Sequence, residues 1–120
     1  MDDLKLCDSD YAVMAIIWEH GPLSSRQLVE HCAGKLGWKK STTYTVLKKL
    51  CDRGFAENRE SIVTALVPQA QVQAFESQRV VDRTFAGSLP SFLAAFLGGK
   101  TISEEEAAQL KQMIDEHREV

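Results

Sequence analysis

The stretch Gly37-Trp38-Lys39-Lys40-Ser41-Thr42-Thr43-Tyr44-Thr45-Val46-Leu47-Lys48-Lys49-Leu50-Cys51-Asp52-Arg53-Gly54 decides how the rest of the chain reads. Thr43, Val46, Leu47 and Leu50 fall at i, i+3, i+4 and i+7, one apolar stripe at helical period. The opposite side collects Ser41, Thr45, Lys48 and Asp52, flanked by Thr42 and Lys49. Ser41 or a residue just before it caps the start, and Gly54 ends the helix. From Lys35 to Arg53 there are six basic residues and one acid. An apolar back with a hydroxyl-and-lysine front suits a major groove, because lysines neutralise phosphates and short hydroxyl side chains reach base edges without crowding. A solvated surface helix carries the same pattern, so the choice rests on the elements around it.

Upstream, Asp8-Ser9-Asp10 opens a helix, with Asp8 or Ser9 as N-cap. Val13, Ile16 and Ile17 repeat at helical spacing, joined by Tyr11, Met14 and Trp18, and His20-Gly21-Pro22 stops it. A second helix starts from Ser24 or Ser25, with Leu28, Val29 and Cys32 on its core face and Arg26–Glu30 as an i,i+4 pair. It runs out near Gly34 to Gly37. Downstream of Gly54 the period changes. Phe55-Ala56-Glu57-Asn58 and Ile62-Val63-Thr64-Ala65-Leu66-Val67 read as two short strands around Arg59-Glu60-Ser61. Three helices and a hairpin make a winged helix-turn-helix pattern over residues 1–68.

Residues 69–120 read as helical. Val72, Phe75, Val80 and Phe85 are spaced through a stretch from Gln69 to Ala86, and Gly87-Ser88 breaks it. Pro90 suits the first turn of the next helix, which carries Phe92, Leu93, Phe96 and Leu97 before Gly98-Gly99. The last helix has a capping box, Ser103-Glu104-Glu105-Glu106, and apolar positions at Ala107, Leu110, Met113 and Ile114. So much apolar surface on three short helices exceeds what one subunit buries, so a dimerisation domain is expected over 69–120. A helical extension folded back on the first domain is the alternative.

Composition narrows the classes. The chain has 120 residues, 44% of them hydrophobic, which suits one folded domain with an appendage. The N-terminus is acidic without an apolar core, so no signal peptide is read, and a cytoplasmic location is expected. Net charge is −3, but residues 1–68 carry nine basic and nine acidic side chains against five and eight in 69–120, so positive charge is local to 35–53. Cys7, Cys32 and Cys51 are too widely spaced for a disulfide framework, and Cys32 and Cys51 read as small buried hydrophobes. No nucleophile elbow, phosphate loop or zinc-protease motif is present, so neither an enzyme nor a cofactor is expected. His20, His31 and His117 sit at helix ends or on polar faces without carboxylates at ligand spacing.

The order of these elements resembles the penicillinase-repressor family (BlaI/MecI/CopY) of winged-helix regulators. The resemblance lies in Asp8 to Met14, Ile17-Trp18, Gly21-Pro22-Leu23, Gly37-Trp38 with Ser41 to Leu50, Arg53-Gly54-Phe55, Leu66-Val67, Phe85-Ala86-Gly87-Ser88 and Ser103 to Leu110. It implies a repressor that dimerises through its C-terminal helices and binds a palindromic operator, controlling β-lactam-resistance or related genes. In the penicillinase branch, a membrane sensor-protease that detects β-lactam starts cleavage in the dimerisation region. Ala95-Phe96 aligns with the cleaved bond, with Ala95 where cleaved members have Asn, a departure that bears on cleavage. In the copper branch, C-terminal cysteines bind metal, and residues 68–120 contain none. The hairpin is also shorter than the family's, with a charge-neutral tip.

On this reading Ser41, Thr42 and Thr45 approach the groove, with Tyr44 at its edge. Lys39, Lys40, Lys48 and Lys49 hold phosphates, with Arg26 and Arg59 as additional contacts. Trp38 is a packing anchor, and Trp18 belongs to the core. Val72, Phe75, Phe85, Phe92, Leu93, Phe96, Leu97, Leu110, Met113 and Ile114 form the dimerisation set. A metal- or redox-sensing winged helix, resting on His31-Cys32, and a winged helix that binds protein instead of DNA are the remaining alternatives.

Overall fold

The computed structural model describes residues 4–120. It forms two compact units, one ending at Val80 and one spanning Val81–Val120. The element order is α1 (Asp8–His20), β1 (Leu23–Ser24), α2 (Ser25–Leu36), α3 (Lys40–Asp52), β2 (Ala56–Arg59), β3 (Ile62–Ala65), α4 (Gln69–Phe85), α5 (Leu89–Leu97) and α6 (Glu104–Glu116).

Burial of one stripe per helix assembles the first unit. Val13, Met14, Ile16 and Ile17 of α1 meet Leu28 and Cys32 of α2 and Leu47 and Leu50 of α3, closed by Leu23, Phe55 and Val63. The N-cap of α1 is Cys7, not Asp8 or Ser9, and its side chain caps nothing. Ser24 caps α2 as expected, and its hydroxyl and the Gln27 side chain complete a capping box. Gly37 ends α2 in the left-handed conformation (φ 68°), which lets its N–H reach Ala33 O at 3.1 Å.

The hairpin is shorter than expected: its second strand stops at Ala65. Glu60 and Ser61 both have positive φ (53° and 66°), the mirror-image turn that matches strand twist in a two-residue loop. Leu23–Ser24 adds a strand that the sequence reading missed. It pairs antiparallel with β3, Leu23 opposite Val63 and Ser24 opposite Ile62, giving the order β1-β3-β2. The Ser25 N–H donates to Ser61 O at 2.8 Å, joining the start of α2 to the hairpin turn. Trp18 Nε1 donates to Val67 O at 2.9 Å.

Val72 requires a correction. Expected in the dimerisation set, it is fully buried in the first unit's core, so its methyl groups have no surface to offer a partner. The first turns of α4 therefore belong with the winged domain, beyond the boundary expected at residue 68.

In the second unit, Ser88 caps α5 by accepting from the Ser91 N–H, and Ser103 caps α6 by accepting from the Glu106 N–H at 3.0 Å. Phe92 lies edge-on to Phe85 (5.5 Å between ring centres) and stacked with Phe96 (5.9 Å). Lys100 Nζ lies 4.3 Å from the Phe96 ring centre. This unit has no fully buried residue, and Phe96, Met113 and Ile114 are all more than half exposed. Among the described residues, no helix is long and apolar enough to cross a membrane.

Candidate nucleic-acid interface

α3 divides as its sequence demands. Thr43, Leu47 and Leu50 are buried and Val46 is half-buried, while Ser41, Thr42, Thr45, Lys48, Lys49 and Asp52 are exposed. Thr43 is the polar member of the buried stripe, and its hydroxyl donates back to Lys39 O at 3.3 Å. Thr45 does likewise to Ser41 O at 2.9 Å, which uses its proton and leaves its oxygen to act as an acceptor. Tyr44 is more than an edge residue: its hydroxyl donates to Ser25 Oγ (3.3 Å) and ties α3 to α2. Arg26, Val29, Glu30, Lys40 and Tyr44 line an open groove between the two helices.

The start of α3 is electropositive. Its N-cap is Lys39, which makes no side-chain cap, and its first turn holds no acid. The N–H groups of Lys40, Ser41 and Thr42 are thus the unsatisfied donors of a helix N-terminus, where anions are favoured. Among the described residues, neither Lys39 nor Lys40 pairs with an acid; Lys40 Nζ lies 5.9 Å from the Tyr44 ring centre.

The other expected cations all have acidic partners. Arg26 pairs with Glu30 (3.7 Å), Lys48 with Asp52 (3.0 Å) and Arg59 with Glu57 (2.9 Å). These pairs are solvated and worth at most about 1 kcal/mol each, so breaking them costs little. Lys49 is different and departs from its expected role. Its Nζ lies 2.9 Å from Oδ1 of Asp10, a side chain only 3% exposed. Asp10 was read as part of a helix opening, and nothing in its sequence neighbourhood signals burial.

The remaining singled-out residues are structural. Trp18 and Trp38 are half-buried against the core. His20 and His31 stack at 3.9 Å between ring centres, joining the end of α1 to α2. Lys35 donates to Glu19 at 2.9 Å beside that stack, and this contact holds the Glu19 carboxyl below its ordinary range. His31 thus faces His20 while Cys32 lies in the core, where burial pushes its thiol up. Burial also raises the Cys51 thiol.

Three helices, a hairpin wing and a third helix with a buried stripe and a hydroxyl-and-lysine face define a winged helix-turn-helix DNA-binding protein. Comparison with known proteins agrees. The penicillinase repressor family model matches residues 6–116. The penicillinase repressor of Bacillus licheniformis is 25% identical over 118 residues, covering 95% of this chain and 92% of that protein. An uncharacterised 16.5 kDa protein from the ptsI 3′ region of Latilactobacillus sakei is 28% identical over 114 residues, covering 92% of this chain and 78% of its own length. The chain belongs to the penicillinase repressor family of bacterial transcriptional repressors.

Proposed function

We propose that the protein represses transcription as a homodimer on a palindromic operator, with α3 of each copy in a major groove. The face of α3 carries this reading: hydroxyl side chains over an uncapped, acid-free N-terminus with two unpaired lysines beside it. Ser41, Thr42 and Thr45 read bases. Lys39, Lys40 and the first-turn N–H groups hold one phosphate run, and Lys48 and Arg26 exchange their acids for others. Arg59 does the same at the wing, where Glu57 limits its gain.

The second unit supplies the dimer contact. Phe96, Leu110, Met113 and Ile114 are exposed apolar side chains on short helices, and an isologous contact covers them in pairs. Induction works by breaking that contact. α5 lies between Gly87 and Gly98, is nine residues long and has no fully buried residue, so it opens at modest cost. Cutting or unfolding it at Ala95–Phe96 leaves each DNA-binding unit to its half-site alone, losing a joint-binding gain of about 10²–10⁴-fold. A membrane sensor-protease is the proposed trigger in the cell.

The test uses a duplex selected by the protein from a randomised pool. Thr42→Ala and Thr45→Ala should alter which base pairs are preferred, by about 1–3 kcal/mol per lost base contact. Lys48→Ala should weaken all duplexes and lower the salt slope by about one. Phe92→Ala and Phe96→Ala should lower dimerisation and operator affinity together. Unchanged sequence preference in both threonine variants removes α3 as the reading helix; dissociated dimers with full operator affinity remove the switching mechanism.

A further inference from the structure

We propose that Asp10 is a positioning residue of the recognition helix, a buried carboxylate on α1 that fixes the setting of α3 and keeps the Lys49 ammonium off the DNA phosphates. The proposal rests on the DNA-binding reading above and adds to it.

An acid in the first turn of a helix ordinarily stays in water and favours the dipole from there. Asp10 is instead 2% exposed. A carboxylate out of water needs opposite charge at close range. α3 and its C-cap supply it twice, four residues apart: Lys49 Nζ at 2.9 Å from Oδ1 and the C-cap Arg53 Nη1 at 3.8 Å from Oδ2. Arg53 is itself fixed by donating to Lys5 O at 2.7 Å and by lying 4.7 Å from the Phe55 ring centre. Rotating or sliding α3 against α1 would break both ion contacts.

The consequence for DNA comes from where Lys49 starts. Thr42, Thr45 and Lys49 stand at i, i+3 and i+7, so Lys49 leaves the helix from the face that reads bases. A free lysine there would take a phosphate, as Lys48 does by giving up exposed Asp52. Lys49 cannot make that exchange cheaply, because its departure leaves the buried Asp10 carboxylate with only the longer Arg53 contact at 3.8 Å. The Asp10 carboxylate beside it holds the ammonium above its ordinary range, in keeping with a committed charge. The arrangement limits sequence-independent attraction along the Thr42 edge of the face and leaves the contrast between sites to the hydroxyls.

The experiment measures binding to the selected duplex and to poly(dI-dC) as a function of salt, with the full chain throughout. Lys40→Met is the positive control and should lower the salt slope by about 0.9, one phosphate's share. Lys49→Met should leave the slope at the parental value. Asp10→Asn should raise the slope by about 0.9 and lower the ratio of selected-duplex to poly(dI-dC) affinity, since the freed ammonium contacts phosphate on any sequence. Asp10→Asn combined with Lys49→Met should restore the parental slope, which a loss of stability alone cannot do. A drop of about one unit in Lys49→Met overturns the proposal, as does Asp10→Asn with unchanged slope and ratio. If Asp10→Asn does not fold, Lys49→Met decides alone. A parental protein with no salt-dependent affinity for either duplex defeats the DNA reading and this proposal with it; parental binding with a failed Lys49→Met result defeats only the proposal.

Discussion

Val72→Ala tests where the DNA-binding unit ends. Val72 lies in the first turn of α4 and is fully buried in the winged unit's core. Truncation removes two carbons from an apolar site, which costs about 1.6 kcal/mol at ~0.8 kcal/mol per buried CH₂. Incomplete collapse around the void raises this to about 2–3 kcal/mol. For a unit of this size each kcal/mol lowers the melting temperature by roughly 4–8 °C, so a drop of about 8–24 °C is expected. Trp18 and Trp38 are the only tryptophans and both lie in the first unit, so their fluorescence during urea unfolding follows that unit alone. Unfolding should be recorded at several protein concentrations, because the proposed dimerisation would add a concentration-dependent term. Leu110→Ala, on exposed α6, should leave the intrinsic stability of the first unit unchanged. The reasoning fails if Val72→Ala moves the tryptophan transition by less than about 0.5 kcal/mol, the ordinary surface range, while weakening self-association as proposed for Phe96→Ala.

Three further predictions follow from burial and hydrogen bonding. Iodoacetamide on the native protein should modify exposed Cys7 first, Cys51 slowly, and Cys32 only on unfolding, as read by peptide mass spectrometry, because burial shields the latter two and raises their thiols. Trp18→Phe leaves the Val67 carbonyl without its donor and should cost about 1–3 kcal/mol in urea unfolding. The Glu19 carboxyl is held below its ordinary range by Lys35, so that pair's contribution is complete above the ordinary carboxylate range and disappears as pH falls through the lowered value; Lys35→Met should slightly lower stability at neutral pH, leave it unchanged at the acid end, and so flatten the acid limb of the stability–pH curve.

Features visible in the sequence were those set by local chemistry. The α3 stripe, the Ser24 and Ser103 caps and the stop at Gly37 each depend on residues within one or two turns of each other. The Thr43-to-Leu50 spacing by itself orients the helix. Features that escaped depend on distant partners. Leu23–Ser24 has no period to detect and becomes a strand only because Val63 and Ile62 lie opposite. Asp10 looks like any acid at a helix start until Lys49 and Arg53 arrive from α3. Val72 has the same spacing as the apolar residues that follow it, and only the packed core separates it from them. The lysine-rich composition of α3 likewise does not tell which ammonium groups already have a partner.

The contact between Ser25 N–H and Ser61 O, with β1 paired to β3, has a mechanical consequence. It pins the hairpin turn to the first residue of α2, and Tyr44 carries the connection on from Ser25 to α3. The wing, α2 and α3 are therefore tied to one another through Ser25. A wing free to swing would surrender conformational freedom on meeting a duplex, and ordering loops and side chains is a recognised part of the cost of association. In the operator complex proposed above, these ties reduce the ordering that the wing would still have to undergo.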